Sequence, residues 1–90
     1  MSYRLERPDS EIIPLLVYNY EFLSLSIHLI GGSVIVVEDI EVDTWVLLNQ
    51  GVTDNEIYNI IALSNDARLA REEPEDLPEK WEDLLLMLPS

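Results

Sequence analysis

Ninety residues with 18 Asp and Glu against 5 Lys and Arg carry a formal net charge of -13. A chain this short builds one domain, residues 1–90, around one modest core, and 48% hydrophobic residues are too many for a disordered acidic tail. No apolar run reaches the ~18 residues of a membrane span, and so negative a field repels phosphate backbones, which disfavours nucleic acid as a partner of this chain alone.

Cysteine is absent, so disulfides, thiolate metal sites and thiol redox chemistry are excluded. The stretch from Met1 to Pro8 lacks the apolar centre of a secretory leader, and cytoplasmic location is the expectation. Residues 1–11 read as an exposed tail.

Residues 12–37 are dominated by β-branched, aromatic and leucine side chains, which suit a pleated surface. Pro14 assigns the first of these runs to an edge strand, where a missing amide is tolerated. Phe22 to Ile30, then Gly31-Gly32, then Ser33 to Val37 read as a β-hairpin, because paired glycines supply the positive φ of a two-residue turn. That turn sets Ile30 opposite Ser33, Leu29 opposite Val34 and His28 opposite Ile35. Leu23, Leu25, Ile27, Leu29, Val34 and Val36 then form the apolar face, and Ser24, Ser26, His28, Ile35 and Val37 the mixed one.

Beyond Val37 the pattern turns helical. Asp43 can cap a helix over 44–50 that Gly51 ends, and Thr53-Asp54-Asn55-Glu56 is a capping box in front of Ile57, Ile60 and Ile61. Ser64-Asn65-Asp66 can cap a further helix over 67–73 that Pro74 stops, and residues 72–76 form an acidic linker. A last helix starts around Pro78 and aligns Trp81, Leu84, Leu85 and Leu88 on one face, with Leu86 and Met87 off that stripe. The expected fold is α+β: a small antiparallel hairpin or sheet over residues 12–37, covered on one face by three or four short helices over residues 44–88.

Little in the chain promises catalysis or a cofactor. His28 is the single histidine and no nucleophile is spaced to meet it, so a strand histidine on the mixed face accounts for it. Asp39, Glu41 and Asp43 alternate and would share one side of an extended segment, but the glycine and the bidentate glutamate of a calcium loop are missing. Gly31-Gly32 lies between strands and no lysine follows it, unlike a phosphate-binding loop. No cofactor, metal or enzymatic activity is expected. The sharper signal is C-terminal: seven carboxylates fall between Glu72 and Asp83 with only Lys80 to offset them. A solvated connector and helix start is the plainer account of that run, and a docking surface the sharper one. Taken as a docking surface, Glu72, Glu73, Glu75 and Asp76 would steer a basic protein while Trp81, Leu84, Leu85 and Leu88 bind it. The same leucine face could instead pair with a second copy in a homodimer.

Leu47 to Ile57 looks like the first half of a helix-turn-helix, whose second helix would end near Arg71. More broadly, Gly31-Gly32, Ile40-Glu41-Val42-Asp43-Thr44 and Gly51 to Ile57, within residues 30–61, resemble in order the motifs of a family of small bacterial antitoxin-like helix-turn-helix proteins. Val37-Glu38-Asp39 stands where that family has Gly-Thr-Arg. The resemblance implies a regulatory protein that neutralises or recruits a protein partner. Two alternatives are an acidic DNA mimic or immunity-type inhibitor of a basic protein, and a peptide-binding domain that takes a strand at an exposed edge.

Overall fold

The structure, a computed structural model, describes residues 1–73 and 76–90. In chain order it comprises β1 (Ser2–Glu6), β2 (Leu15–Asn19), β3 (Ser24–His28), β4 (Val34–Val37), α1 (Val42–Gln50), α2 (Asp54–Leu63), β5 (Ala67–Arg71) and α3 (Glu79–Met87). The strands form one antiparallel five-stranded sheet in the order β1-β2-β3-β4-β5. The class is α+β, but the sheet dominates it. The expected small sheet over residues 12–37 is therefore corrected at both ends.

At the N-terminal end, residues 1–11 are not simply a tail. Tyr3, Arg4, Leu5 and Glu6 alternate apolar with polar, the period of a half-buried strand, and pair with Tyr18, Val17, Leu16 and Leu15. β2 thus lies inside the sheet rather than at its edge. Pro14 sits just before it, costs no ladder donor, and accepts the Arg7 amide at 2.8 Å.

At the other end, residues 67–71 form a strand, not the expected helix. Ala67, Arg68, Leu69, Ala70 and Arg71 have helix-favouring side chains, yet tertiary pairing decides the conformation. Ala67 and Leu69 are buried while Arg68 is exposed, and Val37, Val36 and Ile35 of β4 pair with Ala67, Arg68 and Leu69. The second helix of the helix-turn-helix layout is lost with this correction.

The hairpin at Gly31-Gly32 exists with a different register. Leu29 donates its amide to the Ser33 carbonyl at 2.9 Å and accepts the Gly32 amide at 3.1 Å, so the loop is Ile30-Gly31-Gly32 and not the glycine pair alone. Both glycines hold positive φ, 92° and 119°. The extra loop residue sets His28 opposite Val34 and Ile27 opposite Ile35, and a one-residue slip exchanges the faces of a whole strand. Ile35 and Val37 accordingly enter the core, and Val34 and Val36 join Ser26 and His28 on the opposite face.

One face of the sheet holds the core. Leu16, Tyr18, Leu25, Ile27, Ile35, Val37, Ala67 and Leu69 pack there against Trp45, Leu48, Ile57, Ile61, Trp81 and Leu84 from the helices. Each fully buried large apolar side chain contributes about 1.5–3 kcal/mol of transfer free energy. Tyr18 stacks on Trp45 at 5.3 Å and 10°, and its hydroxyl donates to the Ile40 carbonyl at 2.6 Å. α1 begins at Val42 rather than after a capping Asp43, and its N-cap Glu41 makes no side-chain cap. The capping box of α2 forms as the sequence predicts: Thr53 Oγ1 accepts the Glu56 amide at 3.1 Å and Glu56 Oε1 accepts the Thr53 amide at 3.1 Å.

The other face of the sheet is formed by Arg4, Val17, Ser26, Val36 and Arg68 in one cross-strand row, and by Glu6, Leu15, His28, Val34 and Arg71 in the next. Three of the chain's five cations therefore lie on it, opposite the helical layer.

Candidate partner-binding surface

α3 and its C-cap carry four of the eight residues singled out for partner binding, and the orientation of the helix decides which of these are available. Tyr58 meets Trp81 edge-on at 5.2 Å and 84°, while Lys80 Nζ lies 4.5 Å over the Tyr58 ring and donates to Asn55 Oδ1 at 2.6 Å. These contacts fix α3 against α2. Trp81 is 2% and Leu84 4% exposed, both inside the core, and Leu85 and Leu88 are partly buried against it. The predicted stripe is thus the core face of α3, and Trp81 and Leu84 are not presented to a partner.

The acidic residues divide. Glu72 and Asp76 are exposed, and Glu75 lies outside the described residues. Glu73 is half-buried: its amide donates to Ser33 Oγ at 3.0 Å, and its carboxylate accepts from Arg71 Nε at 2.9 Å. Glu73 therefore has a structural task, extending the β4–β5 junction past the end of the ladder.

What α3 exposes is its opposite side. Leu86 and Met87 are 83% and 81% exposed, and Leu63 at the end of α2 is 84% exposed. Between the two helices runs a groove of about 420 Å³, lined mainly by Tyr58, Ile61, Ala62, Leu84, Met87 and Leu88, with Ser64 and Asn65 as polar rim. Glu82 and Asp83 sit one helical turn before Leu86 and Met87 and share their side of the helix. The failure of Leu86 and Met87 to fit the stripe was the available signal for this surface; the groove itself, made from both helices, had none.

A second recess, about 580 Å³, is lined by Glu6, Arg7, Pro8, Asp9, Ser10, Glu11 and Asp54. Its donors are already engaged. Arg7 Nη1 donates to Asp54 Oδ1 at 2.7 Å and to the Ile13 carbonyl at 2.8 Å, Arg7 Nη2 donates to the Val52 carbonyl at 2.7 Å, and Ser10 Oγ donates to Asp54 Oδ1 at 2.6 Å. This cluster is a clamp between the β1–β2 loop and the start of α2. Burial pushes the Asp54 carboxyl upward, but the hydrogen bonds from Ser10 and Arg7, the Arg7 charge and a backbone contact at Ile12 outweigh it and hold the group below the usual carboxylate range.

Among the described residues no group of three or more His, Asp or Glu is placed to hold a metal ion. Asp39, Glu41 and Asp43 are not aligned as an extended segment would align them, because Asp39 has a φ of 58° and Asp43 lies within α1. His28 stands on the face opposite the helices, where burial first and the Arg4 charge second lower its pKa. No helix among the described residues is long and apolar enough to cross a membrane.

The fold and surfaces define an α+β chain with a helical layer on one side of a five-stranded meander. No family model matches it, and neither the curated proteins nor the solved structures contain a match.

Proposed function

We propose that this chain is a non-catalytic, cytoplasmic regulatory protein that neutralises or recruits a basic protein partner, in the manner of an antitoxin, and that the α2–α3 groove receives an apolar side chain of that partner. The observation that carries the proposal is the pairing of this groove with highly exposed Leu63, Leu86 and Met87 beside Glu82 and Asp83. Apolar side chains this exposed are offset when a partner buries them, and the neighbouring carboxylates favour a cationic segment. An amphipathic helix with lysine or arginine flanking an apolar anchor is the matching chemistry. The exposed Glu72 and Asp76 would add to the steering field.

The test is capture from a native lysate with immobilised wild-type chain and with Met87→Asp, in low and high salt. Both Met87 and Ala62 are exposed at the groove rim, so Met87→Asp and Ala62→Glu leave the core intact. The expected result is a basic protein held by wild type, released by salt and lost with either variant. Capture that persists in both variants would place the binding surface elsewhere. Binding that responds to carboxylates across the whole surface but not to the groove would point to a DNA mimic.

A further inference from the structure

We infer that the chain forms a closed homodimer through the free edge of β1, with Arg4 of one copy paired to Glu6 of the second. The two edges of the sheet differ. On the β5 edge, the Leu69 amide donates to the Pro89 carbonyl at 2.7 Å, so the C-terminal segment already occupies that side. The β1 edge has no such cover among the described residues. Its amide pattern follows from the Arg7 amide, which points inward to Pro14. Successive residues of an antiparallel strand alternate in the direction of their backbone groups, so Leu5 and Tyr3 also bond toward β2. Ser2, Arg4 and Glu6 present theirs to the outside.

Those outward groups restrict how a second β1 can add. An antiparallel neighbour must oppose outward residues to outward residues, which leaves few registers. Placing Arg4 opposite Arg4 sets like charges against each other, and placing Glu6 opposite Glu6 does the same while setting Arg4 against Pro8, which has no amide to give. The register centred on Leu5 is the one that opposes Arg4 to Glu6 of the second copy and, by the two-fold symmetry, Glu6 to its Arg4. Each such pair exchanges backbone hydrogen bonds as well as charge. Leu5, half-buried on the core face, then meets Leu5 of the second copy on the axis and extends the core across the junction.

Within one copy Arg4 and Glu6 are a loose, exposed pair at 3.8 Å. They lie on the face of the sheet that holds Arg68 and Arg71 and is remote from the acidic helical layer. For two chains of net charge -13, the complementary Arg4–Glu6 pairs supply the local attraction that the overall field lacks. Because a two-fold β1–β1 contact uses the β1 edge of both copies, the association closes at two copies instead of propagating.

Sedimentation over a concentration series at about 0.15 M salt, where the Debye length is about 8 Å and distant carboxylates are screened, decides the matter. Wild type is expected to pass from monomer to dimer. Arg4→Glu, which opposes acid to acid in both pairs, should weaken dimerisation about thirtyfold, and Glu6→Arg should do likewise. The double variant Arg4→Glu with Glu6→Arg keeps the net charge and should restore the dimer. Arg68→Glu, the same charge change near the other edge, should leave it unaltered. Circular dichroism of each variant verifies the fold. A wild type that stays monomeric at its highest soluble concentration, an Arg4→Glu chain that dimerises equally, or a double variant that remains monomeric would each overturn the inference. All three are independent of whether the α2–α3 groove binds a partner.

Discussion

Arg7 and Asp54 stand 47 positions apart in the chain and 2.7 Å apart in space, with the Arg7 side chain 13% exposed. Their pairing joins the loop after β1 to the first turn of α2, where an acid is also favoured by the helix dipole. Asp54→Asn leaves a largely buried guanidinium short of its charge partner and should cost about 2 kcal/mol. The pH dependence follows from the lowered Asp54 pKa. A carboxylate depressed in the folded state stabilises it above the ordinary unfolded value, and that contribution is lost as pH falls through the folded value. The difference in urea midpoint between wild type and Asp54→Asn should be full at neutral pH and shrink below about pH 4. A difference that persists in strong acid would exclude the ion pair as its source.

Ser33 is fully buried, and its hydroxyl stands in for a missing strand partner. Ser33 Oγ accepts the Glu73 amide at 3.0 Å and donates to the Glu73 carbonyl at 3.4 Å. Ser33→Ala strands both backbone groups and should destabilise the chain by about 1–2 kcal/mol. Hydrogen exchange should report the loss most strongly at the Glu73 amide, and an unchanged Glu73 exchange rate would contradict this role.

His28 bears on stability in the same direction as Asp54 but in a less acidic pH region. Its pKa is lowered by burial and then by Arg4, so the folded chain binds a proton less readily than the unfolded one. Stability from this residue is therefore complete above the unfolded value of about 6.5 and falls as pH drops through that value toward the folded one. The carboxylates move in parallel in wild type and variant, so the comparison with His28→Gln isolates the histidine. Wild type should lose stability relative to His28→Gln on going from about pH 7.5 to about pH 5. A constant difference across that interval would mean that the imidazole titrates normally.

How much of this was legible follows from which forces were local. The Thr53–Glu56 capping box needs only neighbours in sequence, and it forms as the residue pattern implies. β1 is legible too, in the alternation of Tyr3, Arg4, Leu5 and Glu6, although a period of two over so few residues becomes a strand only because β2 offers a partner. β5 was harder, since Ala67 to Arg71 favour a helix and become a strand only because β4 offers a partner 30 or more residues earlier. The Ile30-Gly31-Gly32 loop shows how a single residue matters: adding Ile30 to the turn moves Ile35 and Val37 inward and Val34 and Val36 outward. On α3 the apolar pattern was legible, but which of its sides the sheet absorbs was not. A stripe of Trp81, Leu84, Leu85 and Leu88 at helical spacing is what a core-facing helix requires, and sequence alone does not say which apolar side chains the sheet absorbs.

That division between the sides of α3 gives a direct comparison. Leu84 is 4% exposed and Met87 81% exposed, three positions apart on the same helix. Leu84→Ala removes buried methyl groups and leaves a cavity in the core, so it should cost about 2–5 kcal/mol. For a chain of this length, with roughly 0.05–0.15 kcal/mol of stability per residue, that is a large share of the total. Met87→Ala deletes surface that solvent already reaches and should stay within about 0.5 kcal/mol of wild type. Urea unfolding of the two variants with a common slope measures the contrast. Near-equal losses would mean that α3 is rotated from the orientation described, with the stripe rather than Leu86 and Met87 turned outward.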